Sequence, residues 1–546
     1  MTDVSTIETD NGSSRNGRAY WLMLLAIVAL GILFRLYHFR LSMGCDDQVY
    51  LIASRSLGEP PHPGISPYIY ARIVWTSVLA AWGAVAGSSL QSSAVLMLLL
   101  GACTTCMVAE FARRAFGAGA GLLAAVFYAT QPLNVLFDVL TLPDNLAVLL
   151  LASALVLFLE YLRRGSLALL FPAAFLVGLL FSVKDYYVLA AVPFGLTILS
   201  RRTGWLNKLH HAAIFSAVCF AGICVDFVLH LFISGNPWAH VAASSNYTER
   251  TLHFIGHKLP DHVVRVAHTL FWERMRYFTW LFDEYAGIVT GAVMLWGALF
   301  LCWKSRACLV CRHLILCVAV FLAFLMLMLT SFRPLVLVEM QPRYLTVLLP
   351  MLCIGAGAAV AGAWSSLTNT TIRNCGAAAL LLGIGYNVVV PNNLIDHHRV
   401  QEFRGIRDVL EDAAESGLRE LVLPTPYDLF LPDSYYDYGV KFAYRDAADE
   451  AAMRSLSDYL QDDPSRGVFL PENPYPETDA FMELNRTLSE RGFRIEEVRV
   501  PRSTYRAWLR WIDFIDAEDQ LVGWVARAKS DAGNGRSAPA QNAVEK

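Results

Sequence analysis

The chain has 546 residues, of which 55% are hydrophobic and only 17% are charged. This composition excludes a set of soluble domains and is typical of a protein with many membrane spans. The net charge is only −3, and the arginines fall in short pairs between apolar segments instead of in one patch, so we expect no nucleic-acid partner.

Apolar segments with the length needed to cross the roughly 30 Å hydrocarbon core of a bilayer as helices recur between residues 20 and 391. They predict a membrane domain over 20–391, preceded by a cytoplasmic tail over 1–19. The candidate segments are 20–38, 69–87, 92–112, 117–137, 146–162, 167–183, 186–200, 210–233, 285–303, 313–332, 344–363 and 375–391.

Basic residues predict the topology, because loops on the cytoplasmic side carry an excess of Lys and Arg. If every segment crossed from a cytoplasmic N-terminus, the Arg113-Arg114, Arg163-Arg164 and Arg201-Arg202 loops would all lie on the outer side, against this rule. They lie on the cytoplasmic side if 69–87, which carries Arg72, lies along the interface or re-enters as an amphipathic helix. The alternative is that 69–87 spans and another segment does not. The sequence therefore predicts an α-helical polytopic protein with about 11 transmembrane helices, and with juxtamembrane helices in its first outer loop.

The chain after residue 391 has the character of a soluble domain. It holds 29 of the 47 acidic residues but 19 of the 44 basic ones, and helical patterns in it alternate with short apolar strands. We expect a small extracytoplasmic α/β domain over 392–530 and a disordered tail over 531–546. We find no phosphate-binding loop, nucleophile elbow or metal-ligand cluster in this domain.

Acidic residues at the outer ends of the spans are the first candidates for chemistry, because a charge beside the membrane is costly unless it has a partner or a function. Asp46 and Asp47 follow the first span, and Asp46 shares a helical face with Tyr50, four residues later. Asp144 follows Pro143 and precedes a clean apolar segment. For Asp46 and Asp144 alike, the alternative is an ordinary role at a helix start.

Cations at the same outer ends are candidates for binding an anion. Lys184 departs from the positive-inside trend, which points either to anion binding or to pairing with Asp185. The guanidinium of Arg343 is suited to binding a phosphate. The alternative is that the Arg343 side chain only extends to the membrane interface to keep its charge in water.

Four local patterns together resemble the polyprenyl-phosphate-sugar-dependent glycosyltransferases of the GT-C superfamily. The resemblance is specifically to the group that contains the protein O-mannosyltransferases and the lipid A aminoarabinose transferases, and it covers roughly residues 20–360. The patterns, in the family's order, are Asp46-Asp47-Gln-Val-Tyr50, Leu142-Pro-Asp144-Asn-Leu, Val183-Lys184, and Gln341-Pro-Arg343-Tyr344-Leu345 with Pro350.

The resemblance implies a GT-C-like catalytic domain that takes a sugar from a polyprenyl-phosphate donor to a hydroxyl acceptor. The site would lie on the outer face of the cell inner (plasma) membrane. Asp46 would be the catalytic carboxylate, acting as general base for an inverting displacement. Asp47 and Asp144 would orient the acceptor, or Asp46 and Asp144 would share a divalent ion such as Mg or Mn.

One departure from the family concerns the donor phosphate. Relatives carry Lys-Pro before the third juxtamembrane helix, where this chain has Ser66-Pro67. Phosphate binding is then left to Arg72, His62, Lys184 or Arg343, without a choice among them. The candidate substrate-binding residues are Tyr50, His62, Arg72, Lys184, Arg343 and Tyr344.

Two other classes of function compete with this interpretation. A transporter or flippase for lipid-linked sugars would be expected to show internal repeats with broken spans in matching halves, and we find no convincing repeat. A scaffold protein with a docking tail is the other alternative. Only an enzyme would turn over the donor.

Overall fold

The computed structural model describes residues 14–37, 46–58, 67–243, 288–327, 329–332, 335–337, 342–386, 419–423, 441–444, 458–459, 462–463, 466–471, 486, 488–490, 493–500 and 520–527. The chain divides into two compact units, Met1–Val400 and Gln401–Lys546. Each is described by itself.

The first unit is helical over almost all of its described length. Its α-helices are α1 (Ser14–Tyr37), α2 (Asp46–Arg55), α3 (Pro67–Tyr70), α4 (Ile73–Ala86), α5 (Leu90–Phe116), α6 (Ala118–Thr130), α7 (Pro132–Phe137), α8 (Pro143–Arg164), α9 (Leu167–Val183), α10 (Ala191–Leu199), α11 (Trp205–Ser234), α12 (Ile288–Lys304), α13 (Leu309–Leu327), α14 (Leu349–Ser366) and α15 (Thr370–Tyr386). Two 3-10 helices, Asp185–Ala190 and Pro342–Leu348, precede α10 and α14.

Six of these helices are long and apolar enough to cross a membrane, and several shorter apolar helices accompany them. The chain is therefore a mostly helical membrane protein, while the number of 11 spans stays a prediction. α4 has 14 residues, which gives a length of about 21 Å. α6, which lies in a segment predicted to span, has only 13 residues. The expectation that α4 lies along the interface therefore stays a prediction.

The predicted basic loops lie together at one end of the helix bundle. Arg114 at the end of α5 contacts Glu160 near the end of α8 at 2.8 Å, and Arg201 Nη1 donates to the hydroxyl of Tyr161 at 2.8 Å. Because α8 begins at Pro143 and ends at Arg164, Asp144 lies at the opposite end. The shared end is what the positive-inside argument predicts, and the side of the membrane remains a prediction.

The backbones of α9 and α11 cross at close range. A Cβ atom added to Gly178 would lie 1.9 Å from the carbonyl oxygen of Cys219, and one added to Gly222 would lie 2.5 Å from that of Phe175. Small residues let helix backbones approach this closely. The crossing positions the residues that follow α9 against the last turns of α11.

The span predicted over 313–332 ends earlier than expected. α13 stops at Leu327, and an antiparallel hairpin follows, formed by β1 (Leu329–Phe332) and β2 (Leu335–Leu337). The apolar pattern alone did not distinguish a helix end from a short strand.

The second unit contains a five-stranded sheet. Its strands are β3 (Glu420–Leu423), β4 (Lys441–Tyr444), β5 (Arg466–Pro471), β6 (Arg494–Val500) and β7 (Gln520–Arg527), in the order β4-β3-β5-β7-β6. β3 pairs in parallel with β4 and β5, whereas β7 is antiparallel to β5 and β6. The sequence pattern predicts strands at 419–424, 468–471, 493–500 and 521–527, which coincide with β3, β5, β6 and β7, whereas β4 was not predicted. The predicted helices fall largely outside the described residues, so the α/β assignment stays a prediction.

Candidate active site

Asp144 is held at the start of α8 by a tightly packed turn. Leu142 is the N-cap residue and Pro143 occupies the first helical position, where its fixed φ and missing N–H are favourable. The side chain of Asn145 donates to the carbonyl oxygens of Phe137 and Leu140 at 3.2 and 3.1 Å. These bonds fix the turn between α7 and α8, and the carboxylate of Asp144 lies in the first turn, where the helix dipole favours an anion.

Asp144 and Lys184 form a buried ion pair between the start of α8 and the end of α9. The Nζ of Lys184 donates to Oδ1 of Asp144, and the two side chains are only 5% and 1% exposed. Asp144 Oδ2 makes no hydrogen bond within the described part of the chain. Of the alternatives that the sequence leaves for Lys184, its ion pair is therefore with Asp144 and not with its neighbour Asp185.

Two tyrosine rings face the ammonium group of Lys184. Its Nζ lies 4.8 Å from the ring centre of Tyr344 and 5.2 Å from that of Tyr186, distances at which cation–π attraction operates. Tyr344 belongs to the 3-10 helix that precedes α14, and the hydroxyls of Tyr187 and Thr346 lie 3.4 Å apart. The segments that carry the second, third and fourth sequence patterns thus meet around one cation.

Arg72 lies beside this pair, in the connection between α3 and α4. Its guanidinium donates to the carbonyl oxygen of Val183 at 3.1 Å and to Oδ1 of Asp185 at 2.8 Å. Arg72 is 5% exposed. Arg72 therefore contacts the backbone next to Lys184, and each of the two cations has its own carboxylate.

A second group of polar residues continues from Asp185 to the end of α11. Oδ2 of Asp185 lies 3.4 Å from Nε2 of His240, and Nδ1 of His240 lies 2.9 Å from Oδ2 of Asp226. Burial lowers the pKa of His240, but the hydrogen bonds with Asp185 and Asp226 outweigh it and raise the pKa to about 9. Asp226 lies within an apolar segment of the sequence, and the sequence analysis did not predict His240 as its partner.

Asp138 has a different environment from Asp144. Its Oδ2 accepts hydrogen bonds from Nε and Nη2 of Arg35 at 3.1 and 2.5 Å. Arg35 also donates to the carbonyl oxygens of Gly31 and Ala129. This buried network joins α1 to the turn after α7, so Asp138 supports the packing of the first span.

For the remaining predicted residues, the structure describes the helix to which most of them belong but not every side chain. Asp46 and Asp47 are the first two residues of α2, and Tyr50 in the same helix is buried. Asp46 and Tyr50 share a helical face, as the four-residue spacing predicts. Arg343 lies in the 3-10 helix Pro342–Leu348. The side chains of Asp46, Asp47 and Arg343 lie outside the described part of the chain, as does all of His62.

The arrangement around Asp144 bears on the divalent ion that the sequence leaves open at Asp46 and Asp144. Oδ1 of Asp144 already contacts the ammonium of Lys184, and that positive charge repels a second cation at the same carboxylate. Asp144 in this arrangement does not fit a metal ion. The proposed chemistry therefore involves no metal ion at Asp144.

Comparisons with known proteins agree with the sequence patterns. A model of the dolichyl-phosphate-mannose-protein mannosyltransferase family matches residues 71–226. Apo ArnT from Cupriavidus metallidurans matches with a TM-score of 0.53 at 13% identity, over 94% of this chain and 98% of that chain. ArnT bound to undecaprenyl phosphate matches with a TM-score of 0.48 at 16% identity, over 94% of this chain and 99% of that chain.

The archaeal oligosaccharyltransferase AglB from Archaeoglobus fulgidus matches with a TM-score of 0.45 at 13% identity, over 78% of this chain. The chain spans 60% of the length of AglB. No curated protein sequence matches. The family match includes Arg72, Asp144 and Lys184, and apo ArnT shares the fold over nearly the whole chain. The resemblance to the GT-C polyprenyl-phosphate-dependent glycosyltransferases is therefore confirmed.

Proposed function

We propose that this protein is a membrane glycosyltransferase that moves a sugar from a polyprenyl-phosphate donor to an acceptor hydroxyl on a glycan, lipid or protein. The reaction takes place on the extracytoplasmic face of the cell inner membrane and inverts the configuration at the anomeric carbon. The observation that carries the proposal is the buried Lys184–Asp144 pair with Arg72 beside it. The family match across residues 71–226 supports the same class of donor.

Lys184 and Arg72 bind the donor phosphate in this proposal. Negative charge grows on the leaving phosphate oxygen as the bond to the anomeric carbon breaks, and fixed cations in a poorly solvated site stabilise that charge strongly. An ammonium has three N–H donors, so Lys184 can donate to a phosphate oxygen while it remains paired with Asp144. The rings of Tyr344 and Tyr186 hold the ammonium in place.

Asp144 acts through Lys184 in this arrangement. An ammonium that is only 4% exposed is costly to bury unless an anion pairs with it. The carboxylate of Asp144 is that anion and sets the direction of the side chain. This role differs from orienting the acceptor, which the sequence first suggests for Asp144.

Asp46 is the general base. It opens α2, where the helix dipole favours the ionised carboxylate that a base requires. The buried ring of Tyr50 anchors the same face of the helix. Asp46 takes the proton of the acceptor hydroxyl while the acceptor oxygen bonds to the anomeric carbon, and the phosphate leaves from the opposite face with the electron pair of the broken bond.

The test is a turnover assay on purified protein with a panel of undecaprenyl-phosphate-linked sugars, in which release of undecaprenyl phosphate is measured in the presence of a membrane extract as acceptor source. Asp46→Asn should abolish release, whereas Asp47→Asn should reduce it only in part. Glu490→Gln, at an exposed position of the second unit, is the control for effects of expression and purification and should release undecaprenyl phosphate as the wild type does. Turnover retained in Asp46→Asn would reject this residue as the base.

A further inference from the structure

A cluster of three side chains that can bind a metal lies near the end of α11. Asp226 and His230 are one helical turn apart on α11, and His240 follows the helix end. Each of the three offers a ligand atom within 4.8 Å of the other two, and all three residues are at most 2% exposed. The cluster contains none of the carboxylates that the proposed reaction uses.

The hydrogen bonds within the cluster leave part of it unused. Asp226 Oδ2 lies 2.9 Å from Nδ1 of His240, but Oδ1 makes no hydrogen bond in the described part of the chain. Nε2 of His230 lies 3.9 Å from that Oδ1. A proton on His240 would balance the charge of Asp226, yet it would not satisfy Oδ1, and Nε2 of His230, which lies 3.2 Å from the carbonyl oxygen of Ala71, is too far from Oδ1 to do so.

The surroundings of His240 match those of a metal-bound histidine. Such a histidine usually donates its other ring N–H to a carboxylate, which fixes the tautomer and the ring orientation. Here Nδ1 of His240 faces Asp226, and Nε2 lies 3.4 Å from Oδ2 of Asp185. Arg72 contacts the other oxygen of Asp185, and the ring of Phe181 stacks on the imidazole at 4.8 Å.

We propose that Asp226, His230 and His240 bind a divalent transition-metal ion, with Zn²⁺ the ion of best fit. Two imidazoles and one carboxylate are a common zinc donor set, and the ion would lie about 2.0–2.2 Å from each ligand atom. His230 gives up its hydrogen bond of 3.2 Å to the carbonyl oxygen of Ala71, or binds through Nδ1.

The ion has a structural role, which goes beyond the proposed transfer reaction. It ties the last turns of α11 to the segment that carries His240. Through Asp185 and Arg72 it also holds the backbone next to Lys184. The site therefore stabilises the region around the candidate active site, and its metal binding does not depend on turnover.

The test uses full-length protein purified in detergent and stripped with EDTA, then titrated with Zn²⁺ and, as a spectroscopic probe, with Co²⁺. The wild type should bind a single ion, show the visible absorption of Co²⁺ in a tetrahedral site, and unfold at a higher temperature with Zn²⁺. Asp226→Asn and His240→Gln should each weaken binding at least 100-fold. His211→Gln, which changes a histidine on the same helix outside the cluster, should bind as the wild type does.

A variant that fails to fold is recognised by comparing its melting temperature with that of EDTA-treated wild type. Asp185→Asn keeps all three ligands and should weaken binding by about 10- to 100-fold, as losses of such supporting carboxylates do. Wild-type protein that binds no ion, or binding that survives equally in His240→Gln and His211→Gln, would overturn the proposal.

Discussion

Removing one partner of the buried Lys184–Asp144 pair should destabilise the protein strongly. The two side chains are 5% and 1% exposed, so Lys184→Met leaves a buried carboxylate without its ammonium, and Asp144→Asn leaves a buried ammonium without this carboxylate. Such losses typically cost about 3–5 kcal/mol, whereas replacing both members of a buried pair with neutral groups is often neutral or stabilising. The double variant Lys184→Met/Asp144→Asn should therefore regain most of the stability that either single variant loses.

Turnover should behave differently from stability in the same set of variants. The double variant lacks the cation that binds the donor phosphate, and removing a donor of this kind costs about 100-fold or more in rate. Unfolding by a denaturing detergent gives the stability, and undecaprenyl phosphate release gives the turnover. Lys208→Met, at a half-buried position near the start of α11, should change neither. A double variant as unstable as the singles would refute the ion-pair reasoning, and one with wild-type turnover would refute the role of Lys184.

Two further predictions concern the helix packing and the topology. Gly178→Ala should lower the melting temperature by several degrees and reduce turnover, because its Cβ would lie 1.9 Å from a backbone oxygen of α11. A Cβ added at Gly195 meets nothing within 4 Å, so the control variant Gly195→Ala should change neither the melting temperature nor turnover. Equal melting temperatures for the two variants would contradict the close crossing of α9 and α11. The loop thiol of Cys308 is hydrogen-bonded by Cys311, which outweighs burial and lowers its pKa to about 6. Maleimide labelling of Cys308 should therefore slow as the pH falls through 6, because the thiolate is lost, and should require access from the cytoplasmic side. Labelling by an impermeant maleimide from outside, or labelling that does not change with pH, would contradict this account.

The sequence predicted the parts of the candidate site but not how they pair. Lys184 and Asp144 were each singled out from their positions at span ends. Their contact depends on how the start of α8 packs against the end of α9, across 40 residues of chain. Local spacing carries no information about that packing, and the only ion-pair partner that it suggested for Lys184 was the neighbouring Asp185.

Other features were missed because their local signal is weak. His240 follows the end of α11 as a lone histidine among Pro, Trp, Ala and Val residues, so nothing in its neighbourhood links it to Asp226 within the span. Strand β4, Lys441–Tyr444, has only four residues and follows a run of tyrosines and aspartates typical of a loop. Its position beside β3 is set by parallel pairing within the sheet, which is a long-range interaction.

The most direct test of the central claim is to follow an undecaprenyl-phosphate-linked sugar in proteoliposomes that contain the purified protein, with a membrane extract as acceptor source on the outer side. The account predicts that undecaprenyl phosphate is released as the sugar appears on an acceptor with inverted anomeric configuration, and that Asp46→Asn abolishes both. Translocation of the intact donor without release of undecaprenyl phosphate would contradict it and identify a transporter instead.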